Sequence, residues 1–122
     1  MIKILIVDDE QSIRDLAQMI LEDRGYQVIT TENGSEAIEE FQLEQPDLVL
    51  LDIRMPGMNG FEVCTALKSQ NLSKRVPVVM FTVSNSEDDH KLAKKAGCNG
   101  YFLKPFTSDD LVREVEKHIQ KK

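Results

Sequence analysis

Five side chains in this sequence have the types and the placing that phosphoryl chemistry needs: Asp8, Asp9, Asp52, Thr82 and Lys104. Each follows an apolar run. Ile2 to Val7, interrupted by Lys3, ends on Asp8 and Asp9; Leu48 to Leu51 ends on Asp52 ahead of the turn Met55-Pro56-Gly57; Val76 to Phe81 ends on Thr82; Tyr101 to Leu103 ends on Lys104-Pro105. Carboxylates drawn close together repel, so at neutral pH such a site takes up protons or holds a cation. Hard oxygen donors, few in number and with room for water and a phosphate, suit Mg²⁺ better than an all-protein Ca²⁺ cage. No EF-hand loop is present, and His90 and His118 fall on predicted helices away from the strand ends, which leaves zinc unsupported. A hydroxyl and an ammonium beside the acids complete a set suited to in-line phosphoryl transfer, where positioning and charge neutralisation supply most of the catalysis. A carboxylate can itself be the nucleophile and carry the phosphoryl group. Asp52 is the candidate, because its strand is central, with the other acids on one side and Thr82 and Lys104 on the other.

These residues meet only if their strands lie side by side. Between the strands the apolar residues recur at helical spacing: Ile13, Leu16, Ala17, Ile20 and Leu21; then Ala37, Ile38 and Phe41; Phe61, Cys64 and Leu67; Leu92, Ala93 and Ala96; Leu111, Val115 and Ile119. Gly25 and Gly97 stand where left-handed helix ends are wanted. Ser35 and Thr107 are candidate helix caps, the latter with Asp110 three residues on, and Pro46 closes the second helix. Tyr26 to Thr31 is a short β-branched strand, and Gln70 to Arg75 is a polar loop. Five strands thus alternate with five helices and show no internal repeat. Connections of this length force a parallel sheet with right-handed crossovers and helices on both faces, a single-domain doubly wound α/β fold over residues 1–122. The first, third and fourth strands are apolar on both faces and belong at the centre; the second and fifth belong nearer the edges. In such sheets the ligand crevice lies at the carboxyl ends of the strands, where all five polar residues fall.

The bulk composition narrows the function further. A chain of 122 residues, 41% apolar and 30% charged, fits one compact domain and is neither disordered nor fibrous. A net charge of −6 argues against direct binding of nucleic acid or an anionic membrane, which needs an excess of Lys and Arg. Cys64 and Cys98 lack metal-site spacing and read as small packed residues in a reducing compartment. The amino terminus carries no signal-peptide pattern, and no stretch reaches membrane-spanning length, so a cytoplasmic domain is expected.

Taken together, the paired acids in Val7-Asp8-Asp9-Glu10, the segment from Leu51 to Met58, Thr82, and Lys104-Pro105-Phe106 resemble, from end to end, the CheY-like receiver domain of two-component response regulators. The resemblance implies a flavodoxin-like fold with strand order 2-1-3-4-5 and a signalling domain, not a conventional enzyme, that catalyses its own aspartyl phosphorylation and dephosphorylation. It implies that Asp52 accepts the phosphoryl group and helps to hold Mg²⁺, with Mn²⁺ able to substitute. Asp9 would ligate the metal directly, Asp8 through bound water and Arg54 through its backbone carbonyl. Thr82 would bond a phosphoryl oxygen and Lys104 would pair with the phosphate. Thr82 and Tyr101 would form the switch that reshapes the face built from the fourth helix, fifth strand and fifth helix. The implied partners are a sensor histidine kinase or histidine phosphotransfer protein and a downstream effector protein.

Three positions depart from common family usage. Asn59 stands where Asp often follows Pro-Gly-Met and is expected to alter a turn and little else. Val83 follows Thr82 where Ala is usual, and its bulk is expected to narrow access to the site. Cys98-Asn99-Gly100 replaces an acidic pair found in members that dimerise through the last face, so a monomer or weak dimer is expected. A phosphorylation-independent interaction module of the same fold is the competing reading, and the intact set of five residues argues against it. A flavodoxin-like cofactor binder or acid phosphatase is disfavoured, since no Gly-rich phosphate loop follows the first strand and no Asp-x-Asp pair is present. Whether the chain acts alone or as a piece of a longer regulator is open. So are its kinase and its output.

Overall fold

A computed structural model describes residues 1–70 and 76–119. Most of the expected polar loop, residues 71–75, lies outside the described residues. The elements alternate as β1 (Lys3–Val7), α1 (Gln11–Asp23), β2 (Gln27–Thr31), α2 (Gly34–Glu44), β3 (Leu48–Leu51), α3 (Gly60–Lys68), β4 (Val78–Thr82), α4 (Glu87–Ala96), β5 (Gly100–Leu103) and α5 (Ser108–Ile119). The strands form one parallel sheet in the order β2-β1-β3-β4-β5, with the three unbroken apolar runs at its centre.

Successive side chains of a strand point to opposite faces, and each face has its own core. Leu5, Val7, Val49, Leu51, Val78 and Met80 pack with Ala37, Phe41, Val63, Cys64, Leu67 and Ala93 from α2, α3 and α4. Ile4, Ile6, Leu48, Leu50, Val79 and Phe81 pack with Ala17, Ile20, Leu21, Leu111, Val112 and Val115 from α1 and α5. The three central strands are buried on both sides, which is why they read as unbroken apolar runs.

Register fixes the site. Val7 lies beside Leu51, and Leu51 beside Met80, so the residues that follow emerge together at one edge. The backbone ladder runs one step past the strands: the Asp52 N–H donates to the Val7 carbonyl at 2.9 Å, the Asp8 N–H to Thr31 at 3.1 Å, and the Lys104 N–H to Thr82 at 2.8 Å. Gly60 lets α3 begin directly against this edge, because a Cβ there would collide with the Asp52 carbonyl oxygen.

Several helix details differ from expectation. Asn33, not Ser35, caps α2, accepting the Glu36 N–H at 2.9 Å. Asn59 does more than shape a turn: it caps α3 in a reciprocal box with Glu62, each bond 2.9 Å. Leu16 and Leu92, both assigned to core stripes, are 40% and 46% exposed. His118 is buried, with Nε2 2.9 Å from Glu114 Oε2. Gly25 and Gly97 adopt the left-handed conformation expected of helix ends, and Thr107 caps α5 by accepting the Asp110 N–H at 3.1 Å. Among the described residues no helix is long and apolar enough to cross a membrane.

Candidate phosphoryl and metal site

The ends of β1, β3, β4 and β5 bring Asp8, Asp52, Thr82 and Lys104 together, all buried, with Asp9 exposed at the rim. Asp8, Asp9 and Asp52 each offer a carboxylate oxygen, and these lie within 4.8 Å of one another. Lys104 Nζ donates to Asp8 Oδ2 at 2.6 Å and stands 3.6 Å from Asp52 Oδ2. Its ammonium also sits 5.0 Å from the centroid of the Phe81 ring, which packs with Phe102 and Phe106. The Lys104-Pro105 peptide is cis. The other Asp8 oxygen, Oδ1, accepts the Glu10 N–H at 3.0 Å.

Asp52 is held differently. Burial is the main reason its carboxyl is pushed up to about 6; Lys104 opposes the shift, Asp8 adds to it, and a hydrogen bond from the Arg54 backbone N–H opposes it again. A carboxylate so placed has a cation, a backbone donor and two further acids around it. The all-oxygen donor set fits a small hard cation.

Thr82 is fully buried, and its Oγ1 accepts the Ser84 N–H at 3.3 Å. Tyr101 is half-buried on β5; its hydroxyl donates to the Ser84 carbonyl at 2.7 Å, and its ring stacks on His90 with centroids 3.8 Å apart. Arg54, noted in the sequence only for its carbonyl, uses its guanidinium as well: Nη2 donates to Asp89 Oδ2 at 2.7 Å. Nothing in the sequence singled out Asp89, Ser84 or His90. Asp89 stands in an acidic first turn with Glu87 and Asp88, a pattern that helix-dipole compensation already explains. Val83 is 69% exposed at the rim. The cysteines stay outside the site; burial pushes the Cys64 thiol up to about 11.

The response regulator receiver domain model matches residues 4–116. The chain belongs to this family. The receiver domain is 42% identical over 118 residues to the alkaline phosphatase synthesis transcriptional regulatory protein PhoP of Bacillus subtilis, a match covering 97% of this chain and 47% of that protein. The chain therefore spans about half the length of that relative. Chemotaxis protein CheY4 of Vibrio cholerae superposes with a TM-score of 0.92 at 35% identity, covering 96% of this chain and 98% of that one. The BeF3-activated N-terminal receiver domain of Klebsiella pneumoniae RstA superposes with a TM-score of 0.89 at 31% identity, covering 97% and 98%. The doubly wound fold and the assignment to two-component signalling are thus those expected from the sequence.

Proposed function

We propose that residues 1–122 act as one receiver domain that accepts a phosphoryl group on Asp52 from a phosphohistidine donor. An Asp52 carboxylate oxygen attacks phosphorus in line, the P–N bond breaks, and the imidazole leaves. The observation that carries this reading is the setting of Asp52, a buried carboxyl held up at about 6 with the Lys104 ammonium 3.6 Å away and two further acids within reach. Asp9, Asp52 and the Arg54 carbonyl would hold Mg²⁺ or Mn²⁺, with Asp8 acting through bound water. Bound there, the cation neutralises charge on the phosphoryl oxygens. Lys104 pairs with the phosphate, and Thr82 donates its hydroxyl proton to a phosphoryl oxygen. Self-dephosphorylation is attack of water on the same phosphorus.

The added charge and acceptor oxygens favour one of two arrangements of Thr82 and Tyr101, and with it one shape of the face formed by α4, β5 and α5. A sensor histidine kinase or histidine phosphotransfer protein supplies the phosphoryl group, and an effector protein reads the face, in the cytoplasm, with the receiver as a monomer or weak dimer. Incubation with acetyl phosphate and Mg²⁺ is expected to add one phosphoryl mass to the protein and none to Asp52→Asn. Undiminished labelling of that variant would refute the assignment.

A further inference from the structure

Arg54 touches two parts of the molecule at once. Its backbone N–H donates to the Asp52 carboxylate, while its guanidinium grips Asp89 in the first turn of α4. Asp89 is only 4% exposed, and Arg54 is a cation paired with it. The same Oδ2 accepts from the Ser84 hydroxyl, and the Asp89 N–H is capped by Ser86 Oγ at 3.0 Å. Ser84 is therefore pinned three ways: its hydroxyl on Asp89, its N–H on Thr82 Oγ1, and its carbonyl on the Tyr101 hydroxyl.

We propose that Arg54, Asp89 and Ser84 form a latch that holds Thr82 and Tyr101 in the arrangement that phosphorylation selects. The inference rests on the role proposed above for Asp52. The Ser84 N–H occupies a lone pair of Thr82 Oγ1, which leaves the hydroxyl proton free to be donated towards an acceptor at Asp52. The Ser84 carbonyl fixes the Tyr101 hydroxyl. Both bonds depend on the orientation of Ser84, which Asp89 sets and Arg54 anchors. Without the latch, the loop between β4 and α4 must be ordered at the expense of ligand binding, and the apparent affinity falls by the fraction of molecules already competent. Arg54 is in this sense a positioning residue, acting through Asp89 and Ser84.

The chain has no Trp and two Tyr, so in a Tyr26→Phe background the intrinsic tyrosine fluorescence comes from Tyr101 alone. Arg54→Gln, Asp89→Asn and Arg54→Lys are compared in that background. Without any ligand, acrylamide quenching of Tyr101 is expected to rise in Arg54→Gln and Asp89→Asn and to stay near the parent value in Arg54→Lys. With Mg²⁺, the midpoint for the phosphate mimic beryllofluoride is expected to rise roughly five- to tenfold in the first two, and no further when they are combined. Unchanged quenching, an unchanged or lower midpoint, or additive effects would overturn the latch. A lower melting temperature with unaltered quenching would overturn it too. Failure of the parent to respond to beryllofluoride would count against the role of Asp52, while the ligand-free quenching would still decide the latch. Should Asp89→Asn fail to fold, Arg54→Gln carries the test, since that side chain is 65% exposed.

Discussion

Two ion pairs of nearly equal length flank Asp52, and they serve different ends. Lys104 and Asp8 meet at 2.6 Å with side chains 5% and 0% exposed; Arg54 and Asp89 meet at 2.7 Å with side chains 65% and 6% exposed. The first pair is sealed between strand ends and an aromatic cluster, where water cannot replace a lost partner. The second has its cation in solvent, where the gain is screened and the arrangement is cheap to rearrange. Distance therefore does not rank the pairs; solvent access does. The sealed pair holds strand ends together in the interior, and the open pair ties the loop after β3 to α4 at the surface.

The comparison is tested most severely at Lys104. Lys104→Met leaves Asp8 buried without its cation and is expected to lose about 3–5 kcal/mol of stability at neutral pH, with the deficit shrinking in urea titrations as acid protonates the carboxylates. A loss no larger than that at a surface pair would remove the distinction.

Asp52→Asn should act in the opposite direction. The folded carboxyl titrates at about 6 against an ordinary 3.8, so the folded state takes up a proton more readily than the unfolded chain. Stability contributed by the protonated form is present in acid and is lost as pH rises from about 4 through 6. In EDTA the variant is therefore expected to exceed the parent by about 1–3 kcal/mol at pH 7.5, after allowance for screening at the rim. The two should converge by about pH 4. Equal stability at both pH values would show that Asp52 is not strained by burial.

Smaller still is the stability effect of Arg54→Gln, below about 1 kcal/mol and reduced further by salt, even though the same change is expected to shift the response to beryllofluoride. Least of all, Val83→Ala should leave stability alone and speed loss of the phosphoryl group, measured by decay of the labelled protein, because it trims an exposed side chain at the rim. Equal decay would remove Val83 as a gate.

The sequence made the fold and the sealed pair legible for the same reason. Fully buried parallel strands demand unbroken apolar runs, so any polar residue closing one, such as Asp8, Asp52 or Thr82, stands out; Lys104, which closes the partly exposed edge strand β5, is marked by the Pro105 that follows it. The open pair left no such mark. Arg54 and Asp89 are 35 positions apart and meet only because α4 packs beside the loop after β3. Burial of His118 left no local mark either, since its ring lies against Gly100, eighteen positions away in sequence. Leu16 and Leu92 looked internal because helical spacing defines a stripe without its edges, and these two fall at the edge. Asn33 took the cap from Ser35 because α2 starts two residues earlier, at Gly34, whose missing side chain admits Met58 and Val63.

The central claim is that Asp52, among three neighbouring acids, is the covalent acceptor. Borohydride reduces an aspartyl phosphate to homoserine, so peptide mass spectrometry after acetyl phosphate, Mg²⁺ and borohydride reads the acceptor directly. The expected result is homoserine at position 52 and at neither 8 nor 9. Homoserine at Asp8 or Asp9, or at none of the three in folded protein, would contradict the account.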